Sequence, residues 1–599
     1  MATSVIVNVS SEVQQFLGKN ELVIITERVD DVVLLIGQMI RMGLPEILDK
    51  HIPRRGKPRE LSWGWTATIW LAYILSEGDH RKVSMAQYVQ GMGHTLSTAT
   101  NRPIEALDFD DDRLSHLLKH LGKRQIWRAV EHDLNVRSLE VYELPRQVVR
   151  CDPTTVSGYH TVKEGGLMQF GHSKDDPTRP QIKLAVASLD PLGMPLVTEV
   201  VSGETADDGL YAGLIGRVDA SLDRRGLLFV GDCKMSALET RLDLVTRGHY
   251  YLSPLPLTGK TAQAMPGWIR KGLEKDRDGA LESIHRESEP GPKGKAGRVE
   301  VARAYELERT QEVGLPEGTV TWQERVLVVH SPAHARQQEE GLEQRLRSAR
   351  QEIEALTPPV GRGKRQITEE GRLTAAITRI LKKYRVEGLL QAEHEVERES
   401  QTRYVGKGRG SAQRERQVIE KIRCQIQAVR RDEEAILAAR QGFGWKAFAT
   451  NAAQAALSLS EAVLGYRNEF RIERIFHRLK SRVDIAPLFV KRDDQIEGLT
   501  YLLTLGMRVL TLTEFVVRRA LRADQAKLPG LHPENRKKET DQPTAERILK
   551  AFSGITLTIF QDSAGNQLFR WLTPLSEVQL VILKCLGLEN VYAPLQNSG

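Results

Sequence analysis

The chain has 599 residues, 40% hydrophobic and 27% charged, with a formal net charge of +7 from 85 basic and 78 acidic residues. That length and hydrophobic share exclude a disordered chain and allow three or four domains with ample core, while the small basic excess permits a polyanionic partner without demanding one. Four cysteines, none in a Cys-x-x-Cys pair, exclude a disulfide scaffold, give a zinc site no support, and point to a reducing cytoplasm.

The first 145 residues read as an all-helical domain. MATSVIVNVSSEVQQ lacks the basic and then apolar run of a secretory leader. VDDVVLLIGQMIRMGLPEILDKHI is amphipathic and stops near Pro53. LSWGWTATIWLAYILSEGDH predicts a second helix, and DRLSHLLKHLGKRQIWRAVEHDLNVRSL one or two more. Between the first two lies PRRGKPRE, where Arg54 and Arg55 suit either a phosphate contact or a solvated turn.

Residues 146–257 change pattern. RQVVRCDPTTV, QIKLAVASLD and PLVTEVVSG predict three strands, the last two joined by the turn DPLG. TADDGLYAGLIGRVDASL predicts a helix whose start carries Thr205, Asp207 and Asp208, good capping and dipole-compensating residues. RGLLFVGD is a fourth strand, CKMSALETRLDLVTRG a helix and HYYLSPLP a fifth strand. This is an α/β mixed sheet. Its first and fourth strands end in Asp152 and Asp232, which meet at one edge if those strands are neighbours.

Residues 258–441 read as an insertion. Its first part is rich in Gly and Pro, with short strand-like pieces such as GRVEVARAYEL and ERVLVVH. Its second part reads as three long charged helices, over QQEEGLEQRLRSARQEIEAL, EEGRLTAAITRILKKY and AQRERQVIEKIRCQIQAVRRDEEAILAAR. The basic glycine-rich stretch around Arg409 suits either a DNA-tracking loop or a solvated one.

Residues 442–522 resume with the strand GFGWKAFATN and a helix over SLSEAVLGYRNEFRIERIFHRLKSRV, which carries Glu473. The apolar run GLTYLLTLGMRVLTLTEFVV is interrupted by Arg508 and Glu514, so it reads as a buried core helix and no membrane partner is expected. Residues 523–599 are a polar linker and a small C-terminal unit.

Carboxylates presented from two strand ends and one helix are the ligand set of a two-metal phosphoryl-transfer site. Mg²⁺ prefers oxygen ligands and needs few carboxylates once substrate phosphate is bound. Read as one continuous helix, the third segment places Tyr466, Glu469, Glu473, His477 and Lys480 on one face.

The spacing Tyr466, Glu473, Lys480 resembles the Tyr-Arg-Glu-Lys signature of DDE transposases of bacterial insertion sequences, in the insertion-sequence-four superfamily. The stretches GHSKDDPTRPQIKLAVASLDPLGMPLVTEVVSGETADDGL and GLLFVGDCKMSALETRLDLV resemble the surroundings of that family's first and second aspartates. The resemblance covers about residues 20–590. It implies a ribonuclease-H-like catalytic core interrupted by a large β plus helical insertion. It also implies that Asp152, Asp232 and Glu473 bind two Mg²⁺ ions, with Mn²⁺ as a substitute, and that Tyr466 and Lys480 contact DNA phosphate. The signature arginine falls on Glu469, which cannot do that job.

Trp445 is a candidate to hold a flipped base or simply a core residue. Arg409, Arg54 and Arg55 would add phosphate contacts. The implied partners are double-stranded DNA, both terminal repeats and target, and a second copy of the chain in the DNA complex. The implied reaction is cleavage at mobile-element ends followed by strand transfer. Two alternatives stay open: a DNA-binding relative that does not cut, and a nuclease on the same core that does not join. A glycoside hydrolase would need two carboxylates and no metal, and no motif suggests a sugar-binding barrel.

Overall fold

The computed structural model describes residues 3–8, 21–53, 60–287, 297–316, 318–361, 363–364, 366–406, 413–468, 470–532, 534–535, 537–562 and 564–596. The protein is mixed α/β. It divides into two compact units, one of Met1–Ser253, Val313–Val320 and Gly465–Gly599, the other of Pro254–Glu312 and Thr321–Leu464. In chain order the strands are β1 (Thr3–Asn8), β2 (Glu21–Arg28), β3 (Val148–Ser157), β4 (Gln181–Asp190), β5 (Met194–Ser202), β6 (Leu228–Gly231), β7 (Tyr250–Pro254), β8 (Glu282–Glu287), β9 (Arg298–Leu315), β10 (Gly318–His330), β11 (Leu390–Tyr404), β12 (Arg416–Arg431), β13 (Trp445–Thr450), β14 (Thr556–Asp562) and β15 (Gln567–Leu572).

In the first unit, β5, β4, β3, β6 and β7 lie side by side in that order. β4 pairs antiparallel with both β5 and β3, whereas β3, β6 and β7 run parallel. The sequence explains the centre of this sheet. All ten residues of β4, QIKLAVASLD, are buried, as a strand covered on both faces requires.

Against β5 packs the 31-residue helix Asp493–Ala523. It is long and apolar enough to cross a membrane, yet 94% of its most apolar window is buried inside the protein. It is the core helix expected from Arg508 and Glu514. Its first turns cross the helix Asp111–Leu121 at backbone contact. A Cβ added at Gly498 would sit 2.0 Å from the Leu118 carbonyl oxygen, and one at Gly122 2.1 Å from that of Asp494. Only glycine fits either place.

Arg508 lies at the middle of this core with no exposure. Its guanidinium donates to Asn135 Oδ1 at 2.6 Å and to the Leu196 carbonyl at 2.8 Å, and stands 3.7 Å from Glu131. Glu131 also accepts from the Thr198 backbone N–H at 2.8 Å and from Arg217. Burial pushes Arg508 down to about 10, so it remains charged at neutral pH.

Three expectations are corrected. The N-terminal region is not all-helical, because β2 (ELVIITER) pairs with β1 on one side and β14 on the other. For the same reason the C-terminal segment is no separate unit, since β14 and β15 complete the four-stranded sheet β1-β2-β14-β15. Third, the 412–440 segment is not one helix. Residues Arg416–Arg431 form a strand and only Glu433–Gln441 is helical. Ile422, Cys424 and Ile426 recur every second residue there, the period of a strand, and the charged composition masked it. The other two expected helices are present, as Pro332–Glu354 and Glu370–Tyr384. By compactness the second unit extends to Leu464 and takes in β13. The second unit also holds a helix, Gly259–Arg277, in the Gly- and Pro-rich part where only short strand-like pieces were expected, and its strands lie in the order β13-β10-β9-β8.

Removing one member of a buried, hydrogen-bonded charge network leaves its partners uncompensated. Arg508→Met is expected to lower unfolding free energy by about 3–5 kcal/mol, read from the denaturant midpoint against wild type.

Candidate active site

The sheet register assembles the site. On the parallel neighbours β3 and β6, Cys151 stands opposite Gly231. Asp152 and Asp232 each follow by one residue, so the two carboxylates emerge side by side, as the sequence required of neighbouring strands. β3 continues to Ser157, but β6 ends at Gly231. There a Cβ would lie 2.6 Å from Met235 Sδ, so the Met235 side chain packs directly over Gly231.

Each carboxylate has distinct surroundings. Asp232 Oδ1 accepts from the Lys234 and Met235 backbone N–H groups at 2.9 and 3.4 Å, and from the Tyr211 hydroxyl at 2.6 Å. Tyr211 comes from the helix Leu210–Leu222 and is buried. Burial, reinforced by the Asp232 charge, holds its hydroxyl far above the usual tyrosine range, so it remains a donor to Asp232. Asp152 has the Lys174 ammonium 3.6 Å away. Lys174 is anchored to β3, donating from Nζ to the Pro153 carbonyl at 2.7 Å and from its backbone N–H to Thr155 Oγ1 at 2.9 Å.

A narrow cleft is lined by Arg150, Cys151, Asp152, Gly231, Asp232, Tyr466 and Ile472. Arg150 forms a buried pair with Asp190 at 2.6 Å and donates to the Gly465 carbonyl at 2.7 Å. It therefore ties the segment carrying Tyr466 to β3. The Cys151 thiol is buried, and burial together with the Asp152 charge pushes it up to about 12.

The helix expected to carry Tyr466, Glu473 and Lys480 on one face is two helices. Tyr466 ends Leu459–Arg467, and Glu473 begins Phe470–Ser481. The shared face therefore does not extend through the break, where the Asn468 N–H bonds back to the Gly465 carbonyl at 3.2 Å. Glu473, His477 and Lys480 still share one side. Glu473 is exposed in the first turn, next to the cleft residue Ile472. Lys480 pairs with Asp175 at 2.7 Å. The opposite side of this helix is pinned to the core by Arg474 at 2.7 Å from Glu514, and by Arg478, which bonds both Glu514 and Glu546.

The structure thus gathers Asp152, Asp232 and Tyr466. Among the described residues, no group of three His, Cys, Asp or Glu side chains is placed to hold a metal ion, and Glu473 does not line the cleft. Asp152 and Asp232 nevertheless supply paired hard oxygen donors, which fit Mg²⁺ when substrate phosphate adds the remaining ligands. Trp445 is a core residue. It is buried in β13, its ring 4.9 Å from that of His330, and a Cβ on Gly272 would meet it at 2.4 Å. Arg54, Arg55, Arg409 and Glu469 lie outside the described residues. Lys174, Tyr211 and Arg150 were not singled out from the sequence. Lys174 sits in GHSKDDPTRP, whose Lys and Arg are balanced by two aspartates and give no basic signal, and the Tyr211 bond spans 21 residues between elements and leaves no local signal.

No protein-family model and no curated protein matches the chain. Among solved structures, it is similar to a piggyBac transposase synaptic complex with hairpin DNA, at 10% identity and a TM-score of 0.23. The match covers 49% of this chain and 60% of that chain, less than two thirds of the neighbour's length.

Cysteine accessibility tests the cleft floor. At mildly alkaline pH a thiol reagent is expected to modify exposed Cys233 in the native protein and to reach Cys151 only after unfolding. Labelling of Cys151 in the native state would contradict the packing described.

Proposed function

We propose that the chain is a DDE-type DNA transposase of the insertion-sequence-four superfamily, with a ribonuclease-H-like core in the first unit. The observation that carries this reading is the parallel register placing Asp152 beside Asp232, with Tyr466 in the same cleft. The substrate is double-stranded DNA, first the ends of a mobile element and then a target. The working complex is a homodimer in the cytoplasm that holds both ends together.

The reaction has two displacements at phosphorus. Water attacks a phosphodiester at the element end and releases a 3′-OH. That 3′-OH then attacks a target phosphodiester, joining the strands as the P–O bond to the target's own 3′ oxygen breaks and leaves a target 3′-OH. Asp152 and Asp232 would hold the divalent cations, Mg²⁺ or Mn²⁺, with Glu473 as the third carboxylate. Such ions neutralise phosphate charge and position the reacting oxygens. Tyr211 and the turn N–H groups hold the Asp232 carboxylate in one orientation. Lys174 balances Asp152 in the free enzyme and presents a cation to incoming phosphate. Tyr466 lines the approach, and Lys480 would exchange Asp175 for phosphate.

The second reading is a DNA-binding relative that does not cut. The exposure of Glu473, away from the cleft lining, favours it.

Labelled DNA carrying the ends that flank the gene decides between them. Wild type with Mg²⁺ is expected to nick at the ends, and Asp232→Asn to bind while cutting roughly 10²–10³-fold more slowly, the scale of losing a charge-stabilising group. Binding without cleavage by either protein, with any divalent metal, would establish the second reading instead. Tyr211→Phe keeps both carboxylates but frees Asp232 to turn. It is expected to slow cleavage by about 10–100-fold with DNA affinity unchanged.

A further inference from the structure

The ribbon of β11 and β12 changes character along its length. Directly opposed residues share a face, and near the base that face is apolar. Val396 stands opposite Cys424 and His394 opposite Ile426, and Cys424 packs with Leu342, Leu346, Leu373 and Ile377 of the two supporting helices. Beyond Val396 the alternation stops. From Glu397 to Tyr404 and from Arg416 to Lys421, every residue is exposed except half-buried Gln401. This free part is roughly 25 Å long at about 3.3 Å per residue. Among the described residues no third strand joins it, and a bare two-stranded ribbon is marginal in water. It nevertheless displays Val418, 63% exposed, along with Ile419, Tyr404 and Val405.

Charge changes along the same axis. At the base, cations and anions match across the ribbon, as in Arg430 with Glu393 at 3.0 Å and Arg423 with Glu397 at 3.6 Å. Toward the tip, residues 401–419 contain Arg403, Lys407, Arg409, Arg414 and Arg416 against one acid, Glu415. Residues 407–412 lie outside the described part; the described cations of the tip are Arg403, Arg414 and Arg416. Arg416 stands over the Tyr404 ring at 5.3 Å and faces it across the ladder, next to the pair Thr402 and Val418.

We propose that the distal ribbon is an arm that binds duplex DNA. Its arginines meet phosphates, and the face carrying Tyr404, Thr402 and Val418 enters the major groove, which admits a two-stranded β-ribbon. A second copy of the chain is the poorer occupant, because it would bring the same cationic tip against this one, and like charges repel. The inference rests on the reading of DNA as the partner, but it concerns a surface distinct from the carboxylate cleft.

The test is duplex binding by the full-length protein, followed by fluorescence anisotropy between 50 and 200 mM salt, the range over which phosphate contacts change affinity most visibly. The triple variant Arg403→Ser, Arg414→Ser, Arg416→Ser is expected to lose affinity by on the order of 10–10²-fold and to flatten the log–log salt slope by roughly 2–3. The corresponding triple Arg→Lys variant keeps the charges and is expected to keep the slope, which separates charge loss from damage to the ribbon. Wild-type affinity and slope in the serine variant would overturn the arm, as would loss of dimerisation with DNA binding intact. In either case metal-dependent cleavage by the same protein would leave the proposed activity standing. Absence of both binding and cleavage in wild type would remove both.

Discussion

Arg508 holds one charge in the centre of the first unit, and the surrounding architecture answers to it. Its guanidinium bonds Asn135 on the helix Arg124–Val141 and the Leu196 carbonyl on β5, and it stands beside Glu131. Glu131 in turn takes Thr198 of β5 and Arg217 of the helix Leu210–Leu222. Stacking of Trp127 on Tyr501, with centroids 4.5 Å apart, joins the helix Arg124–Val141 to the helix Asp493–Ala523 that carries Arg508. Four elements distant in sequence therefore share one desolvated polar network. Buried charges of this kind give little net stability but penalise every arrangement that leaves them unpaired.

The carboxylate cleft inherits its position from that arrangement. β5 is held by the network, β4 pairs with β5, and β3 with β4. Asp152 is thereby placed two strands away from the anchored one. Asp232 follows from the parallel pairing of β6 on the other side of β3. The helix bearing Glu473 is fixed separately, through Arg474 and Arg478 on Glu514 of the central helix. Two supports thus carry the site: a sheet that places the aspartates, and an ion-paired helix whose glutamate stands exposed.

The second unit is built on other terms. Its helices Pro332–Glu354 and Glu370–Tyr384 bury one apolar stripe each and cover only the base of the ribbon. The bidentate approach of Arg431 to Glu343, both bonds 2.8 Å, closes that base, and Arg440 joins at 2.9 Å. These pairs hold the Glu343 carboxyl down to about 2. Toward the tip the sequence turns from balanced charge to an excess of arginine, and the described residues there are exposed, so the ribbon has a folded root and a solvated end.

Local pattern was enough for the elements whose periodicity and burial agree. The β4–β5 hairpin, the strand leading into Asp232 and the buried helix around Arg508 were legible, because apolar side chains recur at the period of the element that hides them; the strand expected to end at Asp152 instead runs on to Ser157. The aspartate pair was legible up to one condition, the adjacency of β3 and β6. That condition belongs to tertiary structure, since no local signal states which strands hydrogen-bond. β12 was misread because its apolar residues are few and its charges suit a helix equally well. Only pairing with β11 decides it. β2 joined to β14 and Tyr211 on Asp232 likewise arise from contacts between separated segments. Short-range chemistry sets what each segment can become, and the packing of one buried face against another selects which of those forms survives.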